Sequence, residues 1–143
     1  MQRSAKGVTI LLIEDDEVDV MGMRRAFENT RICSNLVVAS DGLDALKKLR
    51  DGTSVPRPYI VLLDLNMPRM NGLEFLDAVR QDPDTRHAVI FVLTTSTSEE
   101  DRMRAYNRNV AGYIVKRVGS DNMADMAGLL EKYLNVNTFP EGG

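Results

Sequence analysis

Residues that cross-link a chain or bind metals through sulfur and imidazole are almost absent from this sequence. Its 143 residues include one cysteine, Cys33, one histidine, His87, and no tryptophan. A single cysteine excludes an intrachain disulfide. Because no histidine lies near it in the sequence, we expect Cys33 to be a small apolar residue of the interior rather than a metal ligand or a nucleophile.

Long apolar runs and an excess of basic charge are also missing. No apolar run approaches the roughly 18 residues that a membrane-spanning helix needs, and the polar residues 1–7 do not form a signal peptide. The formal net charge is −3, which disfavours binding to nucleic acid or to an anionic membrane through a basic face. We therefore expect a cytoplasmic protein without a nucleic-acid or membrane partner.

Five short apolar runs recur along the chain, and amphipathic stretches separate them. The runs are 8–13, 36–39, 59–63, 88–93 and 112–115. Each run is continuous rather than alternating, which is typical of strands buried on both faces. Five alternating strand and helix units predict an α/β fold in which helices cover both faces of a parallel sheet. We expect one domain over residues 1–143, with a core of about 7–134 and a polar tail, 135–143.

Polar side chains that can carry chemistry follow four of the five runs. Glu14 and Asp15 follow the first run, Asp64 the third, Thr94 the fourth and Lys116 the fifth. In an open α/β sheet, ligands bind beyond the carboxyl ends of the strands. If the first and third strands are neighbours, the carboxylates converge on one pocket that Thr94 and Lys116 reach from one side.

Three ionised carboxylates in one pocket repel one another unless a proton or a metal offsets their charge. Oxygen ligands of this kind suit a hard dication such as Mg²⁺, and Mg²⁺ together with Lys116 would balance the three charges. A carboxylate in such a site can attack a phosphoryl group and form an aspartyl phosphate. The metal and the lysine would neutralise the developing oxygen charge, and the Thr94 hydroxyl could donate to a phosphoryl oxygen.

Helix capping is the ordinary explanation for several of these residues. The acidic stretch 14–19 lies where the first helix starts, and aspartate is a common capping residue there. Ser98 is likewise predicted to cap the fourth helix and Ser120 the fifth. Asp64 could simply end its strand. The joint placement of suitable side chains at four strand ends nevertheless favours a phosphoryl site.

Four motifs carry a family resemblance: Ile-Glu-Asp-Asp at 13–16, Leu-Asp-Leu-Asn-Met-Pro at 63–68 with Asn71-Gly72, Leu93-Thr94, and Gly-Tyr-Ile-Val-Lys at 112–116. With these motifs the chain resembles the receiver domain of two-component response regulators over residues 7–134. The resemblance implies a flavodoxin-like (βα)₅ receiver fold with strand order 2-1-3-4-5. It also implies a phosphoacceptor switch that acts by docking to other proteins.

The resemblance assigns the acidic residues to phosphorylation and metal binding. Asp64 would accept a phosphoryl group from a phosphohistidine on a sensor histidine kinase. Asp15, Asp64 and the backbone carbonyl of Asn66 would bind Mg²⁺ directly, and Glu14 would act through water. A receiver is not an enzyme, apart from catalysing its own phosphorylation and dephosphorylation.

The resemblance also assigns the residues at the ends of the fourth and fifth strands. Thr94 and Tyr113 match the switch pair of receivers, and Lys116 matches their phosphate-binding lysine. Receivers usually carry proline after this lysine, in a cis peptide, whereas this chain has Arg117. A non-proline cis bond costs about 2.5–4 kcal/mol, so we expect the loop after Lys116 to differ from the family pattern.

The end of the chain narrows the resemblance. Residues 134–140, and the segment Leu93-Thr94-Thr95-Ser96 with the acidic capping segment after it, are similar to small stand-alone receivers that pair with phytochrome-type histidine kinases. The chain ends soon after the fifth helix, so we expect no attached output domain. We expect a homodimer, for which the candidate surfaces are the face formed by the fourth helix, the fifth strand and the fifth helix, and the tail. Apolar residues in the tail, Val136 and Phe139 among them, suggest that the tail docks on the partner; the alternative is that the tail packs on its own fifth helix or is disordered.

Three other functions remain as alternatives at this stage. A metal-dependent phosphatase of the haloacid dehalogenase type needs a second aspartate two residues after its nucleophile, where this chain has Asn66. A flavodoxin-like electron carrier would place a cofactor phosphate against the acidic loop after the first strand, which would repel it. A phosphorylation-independent adaptor would be expected to show a damaged site, whereas the key positions here are intact.

Overall fold

The computed structural model describes residues 7–116 and 122–136, and in these ranges strands and helices alternate strictly. The strands are β1 (Val8–Ile13), β2 (Cys33–Ala39), β3 (Tyr59–Leu63), β4 (Val89–Thr94) and β5 (Gly112–Val115). The helices are α1 (Glu17–Glu28), α2 (Gly42–Arg50), α3 (Gly72–Gln81), α4 (Glu99–Tyr106) and α5 (Asn122–Val136). Among the helices in these ranges, none has the length and apolar character that crossing a bilayer requires.

The five strands form one parallel sheet in the order β2-β1-β3-β4-β5. Ile13 at the end of β1 pairs with Ala39 on one side and with Leu63 on the other. Thr94 at the end of β4 pairs with Val115 in β5. The carboxyl ends of the strands therefore meet along one edge, and the predicted α/β fold and its strand order are confirmed.

Alternate residues of each strand point into two separate apolar layers. Leu11 and Ile13 pack with α2, α3 and α4 on one face of the sheet, whereas Ile10 and Leu12 pack with α1 and α5 on the other. The central strand β3 is buried along its whole length. Burial on both faces explains why the runs are continuously apolar rather than alternating.

The boundaries of three elements differ from the prediction. β4 spans Val89–Thr94 rather than 88–93, because the backbone of Thr94 still pairs with Val115 in β5. β2 begins at Cys33, three residues earlier than its apolar run, because an edge strand paired only with β1 tolerates polar residues at its start. α5 continues through Asn135 to Val136, so the first two residues of the expected tail are helical. The expected cap Ser120, Arg117 and residues 137–143 lie outside the described ranges.

Side chains at the helix starts confirm part of the capping interpretation. The Asp16 carboxylate caps α1 and accepts from the backbone N–H of Val18 at 2.8 Å. Ser98 caps α4 and accepts from the N–H of Asp101 at 3.2 Å. One member of the acidic stretch is thus an ordinary cap, and the others remain available for the site.

Candidate functional site

Three carboxylates converge at the ends of β1 and β3. Oxygens of Glu14, Asp15 and Asp64 all lie within 4.8 Å of one another. Glu14 and Asp64 are buried and Asp15 is exposed, so the cluster opens to solvent on one side. A set of carboxylate oxygens at this spacing suits a hard divalent cation.

Lys116 reaches this cluster from the end of β5. Its ammonium nitrogen lies 2.9 Å from Glu14 Oε1, 2.8 Å from Asp19 Oδ2 and 3.9 Å from Asp64 Oδ2. The two short contacts are hydrogen-bonded ion pairs, whereas the distance to Asp64 is too long for a hydrogen bond. Lys116 is thus held by Glu14 and Asp19 rather than by Asp64.

Burial governs the protonation of the acidic groups. Burial raises the pKa of Glu14 from 4.5 to about 7, against the hydrogen bond and the positive charge of Lys116. Burial also raises the pKa of Asp64, and the hydrogen bond from the Asn66 N–H opposes the rise. Burial alone would lower the pKa of Lys116, but its hydrogen bonds to Asp19 and Glu14 outweigh that and raise it. Burial therefore favours retention of a proton among these carboxylates.

Backbone groups of two loops hold Asp64 and Thr94. The Asn66 N–H donates to Asp64 Oδ1 at 3.1 Å. Thr94 is completely buried at the end of β4, and its Oγ1 accepts from the Ser96 N–H at 3.3 Å. The Thr94 carbonyl accepts from the Lys116 N–H at 2.7 Å, which links the two residues through the sheet.

Tyr113 lies half-buried in β5 and is tied to the loop that follows Thr94. Its hydroxyl donates to the Ser96 carbonyl at 3.1 Å, and the Arg102 guanidinium lies 5.5 Å from the centre of its ring. The Ser96 hydroxyl in turn donates to Asp101 at 2.7 Å. Thr94 and Tyr113 therefore both bind the backbone of Ser96, Thr94 through its N–H and Tyr113 through its carbonyl.

Sequence reasoning missed two residues of this arrangement. The sequence places Asp19 only within the acidic stretch at the helix start, and its contact with Lys116 is made by the folded chain. Ser96 was noted only as part of a short motif, because its link to Tyr113 is made by its backbone carbonyl. No pattern of residue types in the sequence could have identified either contact.

Comparison with known proteins identifies the family. Residues 10–128 match the response regulator receiver domain. This chain belongs to that family. The receiver is 34% identical over 138 residues to the response regulator Rcp1 of Synechocystis sp., and the match covers 92% of each chain.

Solved structures of receivers have the same fold. The phosphorylated cyanobacterial phytochrome response regulator RcpA superposes with a TM-score of 0.85 at 31% identity, covering 94% of this chain and 99% of that one. The Mn²⁺-bound form of Rcp1 gives a TM-score of 0.83 at 32% identity, covering 93% and 99%.

Family membership excludes two of the three alternative functions and leaves the phosphorylation-independent adaptor, which shares the receiver fold. The chain is a response regulator receiver domain, a class of protein that pairs with sensor histidine kinases and is generally not an enzyme. The phosphatase and electron-carrier interpretations are therefore set aside. The acidic cluster is compatible with a divalent metal ion and with phosphorylation.

Proposed function

We propose that this receiver accepts a phosphoryl group on Asp64 in a Mg²⁺-dependent reaction. The observation that carries the proposal is the position of Asp64, whose carboxylate lies among Glu14 and Asp15 with the Lys116 ammonium 3.9 Å away. The three carboxylates alone would repel an incoming phosphoryl group, and the positive charge of the Lys116 ammonium reduces that repulsion.

The transfer needs the phosphohistidine of the kinase, Mg²⁺ and three side chains of the pocket. A carboxylate oxygen of Asp64 attacks phosphorus, the P–N bond to the kinase histidine breaks, and its electron pair returns to the imidazole nitrogen. Lys116 and the Thr94 hydroxyl donate to phosphoryl oxygens as their charge develops. Self-catalysed dephosphorylation follows when water attacks phosphorus and the P–O bond to Asp64 breaks, releasing inorganic phosphate and the carboxylate.

The donor set fits Mg²⁺. Asp15, Asp64 and the backbone carbonyl of Asn66 would hold it directly, with Glu14 acting through water. When bound, the ion supplies positive charge that neutralises phosphoryl oxygens. The buried Glu14 carboxylate is well placed for an indirect role, because it already accepts from Lys116 and from the Asp16 N–H at 3.1 Å.

Labelling with acetyl phosphate tests the proposal. Wild-type protein incubated with Mg²⁺ should gain the mass of one phosphoryl group, and EDTA should abolish the gain. Asp64→Asn should gain nothing. Asp77→Asn, a matched change at an exposed aspartate that pairs with Arg108, should label like the wild type. Undiminished labelling of Asp64→Ala would contradict the assignment.

A phytochrome-type histidine kinase is the proposed phosphodonor. Similarity to Rcp1 and to RcpA over nearly the whole chain supports this choice. Phosphotransfer should be faster from a phytochrome-type kinase than from a chemotaxis-type kinase at equal concentration. Equal rates of phosphotransfer from both kinases would contradict the proposed pairing with a phytochrome-type kinase.

We also propose that residues 1–143 form one receiver domain. The protein is proposed to be a cytoplasmic homodimer without nucleic-acid or membrane partners. Exposed apolar side chains on α4 and α5, namely Met103, Tyr106 and Leu129, support an interface near these helices. Sedimentation should show that the full chain is a dimer. Truncation after Val136 should weaken the dimer, because it removes the tail that is expected to dock on the partner. A monomer at tens of micromolar would exclude the dimer.

A further inference from the structure

Asp19 binds the lysine that a phosphoryl group on Asp64 would need. Its Oδ2 lies 2.8 Å from Lys116 Nζ, whereas Asp64 Oδ2 lies 3.9 Å from the same nitrogen. We propose that Asp19 is a positioning residue that holds Lys116 to one side of Asp64 and thereby limits the affinity of the site for a phosphoryl group. This inference rests on the proposed phosphoacceptor function of Asp64.

The start of α1 fixes the position of Asp19. Asp16 caps the helix and accepts from the Asp19 N–H at 3.4 Å, as well as from the Val18 N–H. Asp19 therefore lies in the first helical turn, beside the end of β5 that delivers Lys116. The lysine side chain is 11% exposed and the Asp19 side chain 26%, so solvent screens this pair less than a surface pair.

The ion pair competes with a phosphoryl group for hydrogen-bond donors. An ammonium has three N–H donors, and Glu14 and Asp19 occupy two of them. Glu14 belongs to the cluster around Asp64, whose oxygens lie within 4.8 Å of one another, whereas Asp19 is not a member of that cluster. The third N–H is left for a phosphoryl group on Asp64, and moving the ammonium from its present 3.9 Å towards Asp64 lengthens the pair with Asp19, which lies outside the cluster.

Asp19 also changes the charge balance of the pocket. With Glu14, Asp15 and Asp64 ionised, one dication and Lys116 would balance the charge. The Asp19 carboxylate adds one further negative charge at 2.8 Å from the lysine, which opposes an incoming anion. Removing this charge should strengthen binding of a phosphoryl group both directly and by releasing Lys116.

A titration with beryllofluoride, a phosphoryl analogue, tests the inference in the full chain with Mg²⁺. The ¹⁹F NMR signals of the bound analogue report its affinity and the donors around each fluorine. Asp19→Asn removes the charge at nearly constant shape, and its half-saturation concentration should fall about threefold to tenfold. The shift of one bound fluorine should change as the lysine engages it more closely.

Two further variants separate positioning from bulk charge. Glu17→Gln makes the same change of charge at an exposed side chain in the same turn of α1, and it should stay within about twofold of the wild type. Asp19→Glu keeps the carboxylate, so its affinity for beryllofluoride should lie closer to that of the wild type than to that of Asp19→Asn. An equal gain in Glu17→Gln, or a gain in Asp19→Glu as large as in Asp19→Asn, would overturn the inference.

Labelling by acetyl phosphate distinguishes this inference from the proposed function. If the wild type is not labelled on Asp64, the proposed function fails and the inference fails with it. If the wild type is labelled but Asp19→Asn binds beryllofluoride no better than the wild type, the inference alone fails. Faster labelling of Asp19→Asn together with tighter beryllofluoride binding supports both.

Discussion

At the scale of single residues, Arg80 connects three parts of the fold through its guanidinium group. Located near the end of α3, it donates to the backbone carbonyls of Arg86 and Ala88 at 2.9 and 2.8 Å. It also donates to the carbonyls of Arg108 and Asn109 at 2.9 and 2.8 Å. One side chain thus fixes the loops that enter β4 and β5, the two strands that deliver Thr94 and Lys116.

Replacing Arg80 should destabilise the whole domain. Arg80→Ala leaves four carbonyls without their charged donor, so we expect the free energy of unfolding to fall by about 2–4 kcal/mol. Arg104→Ala is the matched control, because that exposed arginine pairs with Glu100 on the surface of α4 and should cost less than about 0.5 kcal/mol. Urea denaturation measures both variants, and equal losses would contradict the role assigned to Arg80.

Arg69 is a second residue whose contacts lie far away in sequence. It adopts a positive φ of 61° in the loop after β3, and its guanidinium pairs with Asp41 at 2.5 and 3.1 Å. Asp41 is buried and also caps α2 by accepting from the Asp44 N–H at 2.9 Å. The ion pair joins the loop that carries Asn66 to the start of α2.

Three substitutions separate the ion pair from the backbone strain at Arg69. Arg69→Ala should lower the thermal midpoint only modestly, because the arginine side chain is 58% exposed and solvent screens its charge. Arg69→Gly should cost less, since glycine tolerates positive φ. Asp41→Asn keeps an oxygen that can cap α2 but loses the charge and the oxygen that accepts from Arg69 Nε, so it should match the loss of the pair. Equal thermal midpoints for the Ala and Gly variants would exclude a contribution from strain.

At the scale of elements, the strands and the convergence of their carboxyl ends were predictable, whereas the orientation of α1 relative to the end of β5 was not. Runs such as 59–63 are apolar because both faces of a central strand are covered, and Ser98 marked the start of α4 because a cap is a local interaction. The convergence of Glu14, Asp15 and Asp64 followed from the topology of a parallel sheet. The ion pair between Lys116 and Asp19 joins residues that are 97 positions apart. It depends on which side of α1 faces the end of β5, and no local sequence pattern encodes that orientation.

The loop between β4 and α4 is the element expected to respond to phosphorylation. Thr94 Oγ1 accepts from the Ser96 N–H, while the Tyr113 hydroxyl donates to the Ser96 carbonyl. If the Thr94 hydroxyl moves to a phosphoryl oxygen, the loop and the ring of Tyr113 must adjust together. A bound phosphoryl group would then bias two conformations of similar energy.

Beryllofluoride should therefore change the NMR signals of Tyr113 and Ser96 in parallel. Tyr106 is the internal control, because its exposed ring on α4 should shift much less than the ring of Tyr113. In Tyr113→Phe, which lacks the donor to Ser96, the Ser96 amide should already be shifted before the analogue is added. An unchanged Tyr113 environment at saturation would contradict this coupling.

At the scale of the whole molecule, the buried carboxylates make folding depend on pH. Burial raises the pKa of Glu14 from 4.5 to about 7, so between these values the folded state holds a proton that the unfolded chain releases. Stability therefore falls as pH rises through this window and levels off above about 7. Burial raises the pKa of Asp64 as well, which adds to the effect in the same direction.

The pH effect can be assigned to Glu14 by substitution. In EDTA, the wild type should be less stable at about pH 8 than at about pH 5, with Glu14 contributing at most about 3 kcal/mol. Glu14→Gln cannot ionise and should flatten the slope, whereas Glu17→Gln, at an exposed position, should keep it. Urea denaturation at several pH values measures the slope. An unaltered slope in Glu14→Gln would show that other groups cause it.

Mg²⁺ should counteract the loss of stability with rising pH, because the ion binds the ionised carboxylates and so competes with the proton held in the cluster. A ligand that binds only the folded state raises its stability by mass action. We therefore expect saturating Mg²⁺ to raise the thermal midpoint more at about pH 8 than at about pH 5. Asp15→Asn, which removes an exposed member of the cluster, should weaken the gain at both values. An equal gain at the two pH values would mean that Mg²⁺ binds without displacing the proton, and the site would then have to accommodate the ion with Glu14 neutral.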